Sequence, residues 1–200
     1  VGCKAFLKEF LPAPIVVNCG GKWAPVTPEK SIGRVKNFYG NFLVALRALC
    51  YIETIGLDGM RESAMAAVIN ANYLMAKLKD YFPVFSGKYC MHEFVMSCED
   101  LKKECGVSAL DFAKAIIDAG MHPPTMYFPL IVHEALMFEP TETESKETLD
   151  MVAEKIIKLY HEAKENPEKF HNAPISMPIT RPDEVTAARN PVLIWQKDNG

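Results

Sequence analysis

Two long stripes of apolar residues follow each other along the chain with no strand pattern between them. Over residues 32–52 the apolar side chains recur at intervals of three and four, the spacing of one face of an α-helix. Ser31 precedes this stripe as a helix N-cap, and Gly56 follows it as a stop. A second stripe over residues 58–82 ends at Pro83. The pattern predicts two consecutive long helices, the first largely buried, that connect two domains or open a smaller one.

Strand and helix patterns alternate after these helices. Residues 88–97 and 130–138 predict strands, and the second of these is expected to be buried. Helices are predicted over residues 108–120 and 145–165. Near the start of the chain, residues 15–17 predict a short strand that leads into a turn. The fold class is therefore expected to be α/β (α+β), a small sheet covered by helices and preceded by long connecting helices.

The last thirty residues are rich in proline, and they carry one short helical pattern over residues 183–189. The segment 192–195, Val-Leu-Ile-Trp, is too apolar for a free tail. We expect it to pack on the body of the protein.

The composition excludes several classes of protein. The chain has 200 residues, of which 49% are hydrophobic, and this fraction is sufficient for a sizeable core. The formal net charge is -3 with no dense cluster of Lys and Arg, which argues against binding to nucleic acid or an anionic membrane. The longest apolar run, residues 64–69, is far shorter than the roughly 18 residues of a membrane span. A soluble protein is predicted.

Cysteine and histidine spacing indicates neither a disulfide framework nor a metal site. The six cysteines include no C-x-x-C pair, and several lie in apolar segments, as free cysteines of a reducing compartment do. The five histidines never occur at the spacing of metal ligands. We expect no metal.

No segment carries a complete catalytic motif of the P-loop, dinucleotide-binding, serine-hydrolase or HExxH type. Three segments are nevertheless distinctive, namely residues 92–94, 120–129 and 139–150. Each also has a structural explanation: prolines stiffen the second, and Thr141 with Glu144 matches a helix capping box in the third. A chain with such segments and no site of its own is expected to form one wall of a larger site.

These segments resemble the pyridoxal-phosphate-dependent glycine dehydrogenase (decarboxylating) family, the P-proteins of the glycine cleavage system. The resemblance is greatest to the C-terminal part of subunit 2 in bacteria that split this enzyme into two chains. The motifs that carry it span nearly the whole sequence: Phe10-Leu11-Pro12, Ser31-Ile32-Gly33-Arg34-Val35, Phe38-Tyr39-Gly40-Asn41, Asn70-Ala71-Asn72-Tyr73, His92-Glu93-Phe94, His122-Pro123-Pro124-Thr125, Glu139-Pro140-Thr141-Glu142, Asp183-Glu184-Val185 and Ala187-Ala188-Arg189.

The resemblance implies the small C-terminal domain of a fold-type-I pyridoxal-phosphate enzyme. Residues 1–55 would be the tail of the cofactor-binding domain with a connecting helix, and residues 56–200 the small domain. The full enzyme would decarboxylate glycine and transfer the aminomethyl group to the lipoyl arm of the H-protein, with glycine dehydrogenase subunit 1 as partner, in the bacterial cytoplasm. The family's Schiff-base lysine follows a histidine, and this sequence has no such pair. That lysine is expected upstream of Val1, so the 200 residues alone are expected to be inactive and free of cofactor.

Within this resemblance five residues become candidates for a substrate or lipoyl cleft. His122 and Thr125 lie on a proline-rich connection that could complete such a cleft, and His92 belongs to another of the distinctive segments. Ser31 and Arg34 begin a predicted helix, whose N-terminus would attract anions. Arg181 is a further candidate anion ligand, although a surface role is favoured for both arginines.

Two other classes of function remain open. The chain could belong to another fold-type-I pyridoxal-phosphate enzyme, such as an amino-acid decarboxylase or an aminotransferase. It could also be a stand-alone α/β module that binds a protein or a small molecule.

Overall fold

The computed structural model describes residues 4–36 and 40–195, which fall into two compact units. The first unit ends at Gly56, and the second begins at Leu57. Strands and helices are both present, so the predicted mixed fold class is confirmed.

The first unit contains a 3-10 helix, Ala5–Phe10, and a hairpin of two antiparallel strands. The strands are β1, Ile15–Cys19, and β2, Lys22–Val26. Gly20 and Gly21 form the turn with positive φ angles of 62° and 86°, which glycine adopts without strain. The predicted strand and turn are confirmed, and the second strand of the hairpin, β2, was not predicted.

The helix predicted from Ile32 begins only at Phe42, so this prediction was wrong for its first ten residues. The hydroxyl of Ser31 donates to the Leu11 carbonyl at 2.6 Å and accepts from the Gly33 N–H at 3.1 Å. Gly33 has a φ of 87°, which an α-helix cannot contain. Ser31 therefore stabilises a turn against the segment after the 3-10 helix. Residues 37–39 lie outside the described residues.

Helix α1, Phe42–Leu78, is interrupted at Gly56, whose φ of 64° is not helical. The predicted stop at this glycine is confirmed. Residues 42–54 are exposed, which contradicts the burial expected for the first stripe. Apolar periodicity identifies a helix face that tends to be buried, and no described residue of the first unit buries this one. After the interruption, four residues are buried: Ala71, Leu74, Met75 and Leu78.

Over residues 57–195 the second unit contains a three-stranded antiparallel sheet and, after α1, five further helices. Its strands are β3, Phe94–Ser97, β4, Thr125–Met126, and β5, Ala135–Phe138, in the spatial order β3-β5-β4. The helices are α2, Glu99–Cys105, α3, Ala109–Asp118, α4, Lys146–Glu165, α5, Pro167–His171, and α6, Glu184–Arg189.

One face of this sheet forms the core together with helices α3 and α4. Phe94, Met96 and Leu136 are fully buried, and Phe94 stacks on Phe138. Strands β3 and β5 are both shorter than the strands predicted over residues 88–97 and 130–138. Leu130, which the sequence places in the buried strand, is 86% exposed, because β5 begins only at Ala135 and residues 130–134 form a loop.

The helix boundaries follow local capping signals. Ser108 and Asp111 form a capping box at the start of α3, and Gly120 follows the end of that helix with a φ of 75°. Helix α4 is capped by Ser145, whose side chain accepts from the Thr148 N–H, and not by the predicted Thr141.

Asp111 is a buried carboxylate that joins α3 to the C-terminal part of the chain. It accepts hydrogen bonds from the backbone and side chain of Ser108, and it lies 2.7 Å from the Arg181 guanidinium. Arg181 also donates to the carbonyls of Ala173 and Phe170. The guanidinium considered as an anion ligand is thus occupied by contacts within the protein.

The apolar segment 192–195 does not pack on the body, so this expectation was wrong. Trp195 is 83% exposed, and Val192, Leu193 and Ile194 are also exposed. The predicted short helix before this segment is present as α6 and contains no buried residue.

Candidate functional site

The three distinctive segments of the sequence each have a part that lies at the same edge of the second unit's sheet. Strands β3 and β4 both run antiparallel to β5, so the residues before β3, before β4 and after β5 lie at the same edge. We call this region the signature edge and define it as residues 90–93, 120–124 and 139–145. The order β3-β5-β4 places the third segment between the other two.

Asn72 on α1 holds the first of these segments. Its side-chain amide donates to the Cys90 carbonyl at 2.8 Å, and its side-chain oxygen accepts from the Cys90 N–H at 3.0 Å. The same amide donates to the Val68 carbonyl of its own helix, which orients the side chain. Residues 90–93, which carry His92, are therefore attached to α1 by paired hydrogen bonds.

Asn70, two residues earlier on the same helix, holds the third segment. Its amide donates to the carbonyls of Thr141 and Glu144 at 2.8 and 3.0 Å. Both acceptors are backbone atoms of the turn that leads into α4. One turn of α1 thus contacts two of the three segments.

Tyr73 connects this part of α1 to α4. Its hydroxyl donates to Asp150 at 2.6 Å, and Lys77 and Lys146 each lie 2.7 Å from the same carboxylate. Hydrogen bonds from Lys146, Lys77 and Tyr73 hold the pKa of Asp150 well below its ordinary value. Both lysines and the Tyr73 hydroxyl contact the same carboxylate, so we assign the cluster a structural role in joining α1 to α4.

Two of the predicted site residues belong to the signature edge, and a third adjoins it. His92 is exposed, with its Nε2 atom 3.7 Å from the Glu93 carboxylate. His122 is exposed in the connection between α3 and β4. Thr125 begins β4 opposite Met137, and it is exposed on the sheet face away from the core. The structure therefore brings these residues to one region of a single sheet: His92 precedes β3, His122 precedes β4, and Thr125 begins β4.

Ser31 and Arg34 belong to the first unit. Because α1 begins at Phe42, no helix N-terminus is present at these residues, and the anion site expected from one loses its basis. Ser31 is engaged in the turn described above, and Arg34 is exposed. A role for either toward a ligand stays a prediction.

Five lysines of the second unit do not fit a Schiff-base role toward pyridoxal phosphate. Such a lysine needs a desolvated amine with a lowered pKa. Hydrogen bonds to carboxylates instead raise the pKa of five lysines, namely Lys77, Lys102, Lys103, Lys146 and Lys164. We assign no cofactor-binding residue to this part of the chain. Residues 4–36 and 40–195 also contain no group of three or more His, Cys, Asp or Glu arranged to hold a metal ion.

A groove of about 410 Å³ lies between α3 and α4, and none of its lining residues belongs to the signature edge. Its polar groups are already engaged: Lys155 donates to the Ala119 carbonyl, Lys169 to Glu162, and Asp118 accepts from the backbone at residues 175 and 176. We assign it no ligand. In the described part of the chain, no helix has the length and apolarity needed to cross a membrane.

Asn70 and Asn72 are the residues of this site that sequence reasoning missed. The motif Asn70-Ala71-Asn72-Tyr73 contributes to the family resemblance, but it gave these residues no role. A usable signal was present, because two carboxamides flank Ala71 within an otherwise apolar stripe.

Comparison with known proteins identifies the family. Residues 63–179, more than half of the chain, match the family model described as glycine dehydrogenase, C-terminal domain. The chain is 61% identical over 197 residues to the probable glycine dehydrogenase (decarboxylating) subunit 2 of Treponema denticola, covering 98% of this chain and 41% of that protein. It is 53% identical over 196 residues to the protein of the same name from Desulforamulus reducens, covering 98% and 40%.

A solved structure shares the fold. The crystal structure of glycine decarboxylase (P-protein) of the glycine cleavage system, in inhibitor-bound form, aligns with a TM-score of 0.57 at 20% identity, over 78% of this chain and 37% of that one. The chain spans about two fifths of the length of the curated relatives it matches. The resemblance drawn from the motifs is confirmed: the chain belongs to the glycine dehydrogenase C-terminal domain family.

Proposed function

We propose that this chain is the C-terminal part of a glycine decarboxylase that depends on pyridoxal phosphate. The complete protein would release the carboxylate of glycine as CO2 and transfer the aminomethyl group to the lipoyl arm of an H-protein. Because the relatives are named subunit 2, a subunit 1 is the expected partner. We expect the assembly to act in the cytoplasm of a bacterium. When bound, the cofactor would supply the electron sink for decarboxylation.

The signature edge carries this proposal. The four motifs between residues 70 and 142 either form this edge or hydrogen-bond to it through Asn70 and Asn72, whereas the two motifs within residues 183–189 lie at α6. Segments joined to a rigid helix and sheet hold their side chains in fixed positions, as a catalytic site requires. We infer that the edge forms one wall of the glycine cleft, while residues outside this chain hold the cofactor.

His122, Thr125 and His92 are the proposed cleft residues. Imidazole and hydroxyl groups exchange protons or donate hydrogen bonds near neutral pH, which suits a substrate with a carboxylate and an amine. All three are exposed in this chain, so their polar atoms are accessible to a ligand. Residues 1–55 would belong to the cofactor-binding domain, and residues 56–200 would form the small domain.

The test is glycine–bicarbonate exchange by the complete protein that carries this chain, assembled with subunit 1 and a lipoylated H-protein. We expect exchange of label from bicarbonate into glycine, and we expect it to be lost when subunit 1 is omitted. Larger amino acids serve as the control for other decarboxylases, and a keto-acid acceptor for aminotransferases. Turnover of a larger amino acid or a keto acid without glycine exchange would instead indicate another decarboxylase or an aminotransferase. An assembly with no activity would contradict the proposal.

A further inference from the structure

Asn70 and Asn72 are placed to fix the separation of two segments of the signature edge. Residues two apart on an α-helix point about 200° apart around its axis. Ala71 between them is fully buried, so the helix is anchored in the core while its two asparagines reach to opposite sides. Asn72 contacts Cys90, and Asn70 contacts Thr141 and Glu144.

The bonds explain why both residues carry a carboxamide. Asn72 uses a donor and an acceptor toward the backbone of one residue, as a neighbouring strand would. An aspartate could accept from the Cys90 N–H, but it would place a carboxylate oxygen against the carbonyls of Cys90 and Val68. The Asn70 side-chain amide donates to two carbonyls, so this position also requires a hydrogen-bond donor.

We propose that Asn72 and Asn70 are positioning residues for the reaction at the signature edge. Asn72 sets the place of the segment with His92, and Asn70 sets the place of the segment that follows β5. This inference rests on the proposed function, because it assigns the edge to the glycine cleft. Neither asparagine touches the substrate in this account; each acts through the backbone that it holds.

Small displacements at such a site have large kinetic effects. A misplacement of about 1 Å can reduce a rate about a hundredfold. Cys90 is only half-buried, so water can satisfy its backbone when Asn72 is truncated, and the segment loosens without unfolding the domain. We therefore expect Asn72→Ala to lower kcat for exchange by about tenfold to a hundredfold, with a smaller change in KM.

The experiment uses the complete enzyme with Asn72→Ala, Asn72→Asp and Asn70→Ala, and Tyr73→Phe as the matched control. Tyr73→Phe removes a hydrogen bond from the same motif, but that bond leads to Asp150 on α4 and not to the edge. Each variant is measured for kcat, KM, thermal stability and backbone hydrogen exchange of residues 88–93. Asn72→Asp keeps the side-chain volume, so a role as a mere spacer predicts wild-type kcat for it.

The inference predicts a lowered kcat for the three asparagine variants and an unchanged kcat for Tyr73→Phe. It also predicts faster hydrogen exchange at Cys90 in Asn72→Ala, which removes the acceptor of the Cys90 N–H. Wild-type kcat in Asn72→Ala, or an equal loss in Tyr73→Phe, overturns the positioning role and leaves the proposed function standing. An inactive wild-type assembly overturns the proposed function itself. Unchanged hydrogen exchange at Cys90 in Asn72→Ala shows that Asn72 does not hold the segment, whatever the activity.

Discussion

Replacing Asp111 with alanine is expected to destabilise the second unit more than any surface substitution. The carboxylate is 6% exposed, completes the capping box of α3, and lies 2.7 Å from Arg181. The substitution removes the carboxylate half of the capping box and leaves Ser108 bound to the backbone N–H of residue 111, so this part costs at most about 1 kcal/mol. Loss of hydrogen bonds to a charged group costs about 1.5–3 kcal/mol, and the lower part of this range applies because Arg181 is one-third exposed and keeps two carbonyl partners. The free energy of unfolding should fall by about 3 kcal/mol.

Equilibrium urea denaturation followed by circular dichroism at pH 7 measures this loss. Asp183→Ala is the control, because Asp183 is an exposed N-cap of a helix with no buried residue, and its loss should leave the main transition unchanged. A decrease below about 1 kcal/mol for Asp111→Ala would refute the assignment of Asp111 as the link between α3 and the C-terminal segment.

The same variant has a defined pH dependence. Burial alone raises the pKa of Asp111, but hydrogen bonds from Ser108 and Arg181 outweigh it, and the net pKa is below the ordinary 3.8. The stabilisation is therefore present above about pH 3.8 and is lost as the pH falls through the lower folded pKa. The difference in the free energy of unfolding between the wild type and Asp111→Ala should therefore become smaller in that acidic range.

Three further predictions concern packing, backbone and thiol chemistry. Phe112→Ala removes a fully buried ring that contacts two other aromatic rings, and it should cost about 3–5 kcal/mol in urea denaturation. Gly106→Ala should cost about 1–2 kcal/mol by the same measurement, because Gly106 ends α2 with a φ of 81°; an unchanged midpoint would contradict the left-handed conformation. Burial raises the pKa of the Cys98 thiol, so a thiol reagent should label exposed Cys19 in the native protein and Cys98 only after unfolding; native labelling of Cys98 would contradict its burial.

Local signals predicted those parts of the fold that are decided locally. Gly56, Ser108 and Gly120 mark helix ends through their own backbone or side-chain chemistry, and the structure has helix boundaries at these positions. The helix expected from Ile32 failed because Ser31 bonds to Leu11, twenty residues away in the sequence. Helices α2 and α5, of seven and five residues, are too short to show a periodic pattern and were not predicted.

The candidate site likewise combines features that the sequence shows locally with features that depend on distant contacts. Composition and motif made its three segments visible in the sequence, but their meeting point depends on the order β3-β5-β4, in which the last strand of the chain lies in the centre. Strand order is set by packing between distant residues, and single-sequence periodicity carries no information on it. Asn70 and Asn72 acquire a role only once Cys90 and Thr141 are seen beside them.

The central claim, that the signature edge forms a wall of the glycine cleft, is tested most directly by comparing histidine variants in the complete assembly. The measurement is kcat/KM for glycine–bicarbonate exchange with His122→Ala, and with His161→Ala as the control, since His161 is exposed on α4. We predict that His122→Ala lowers kcat/KM by at least about tenfold and that His161→Ala leaves it unchanged. Equal values for the wild type and His122→Ala would contradict the placement of His122 in the cleft.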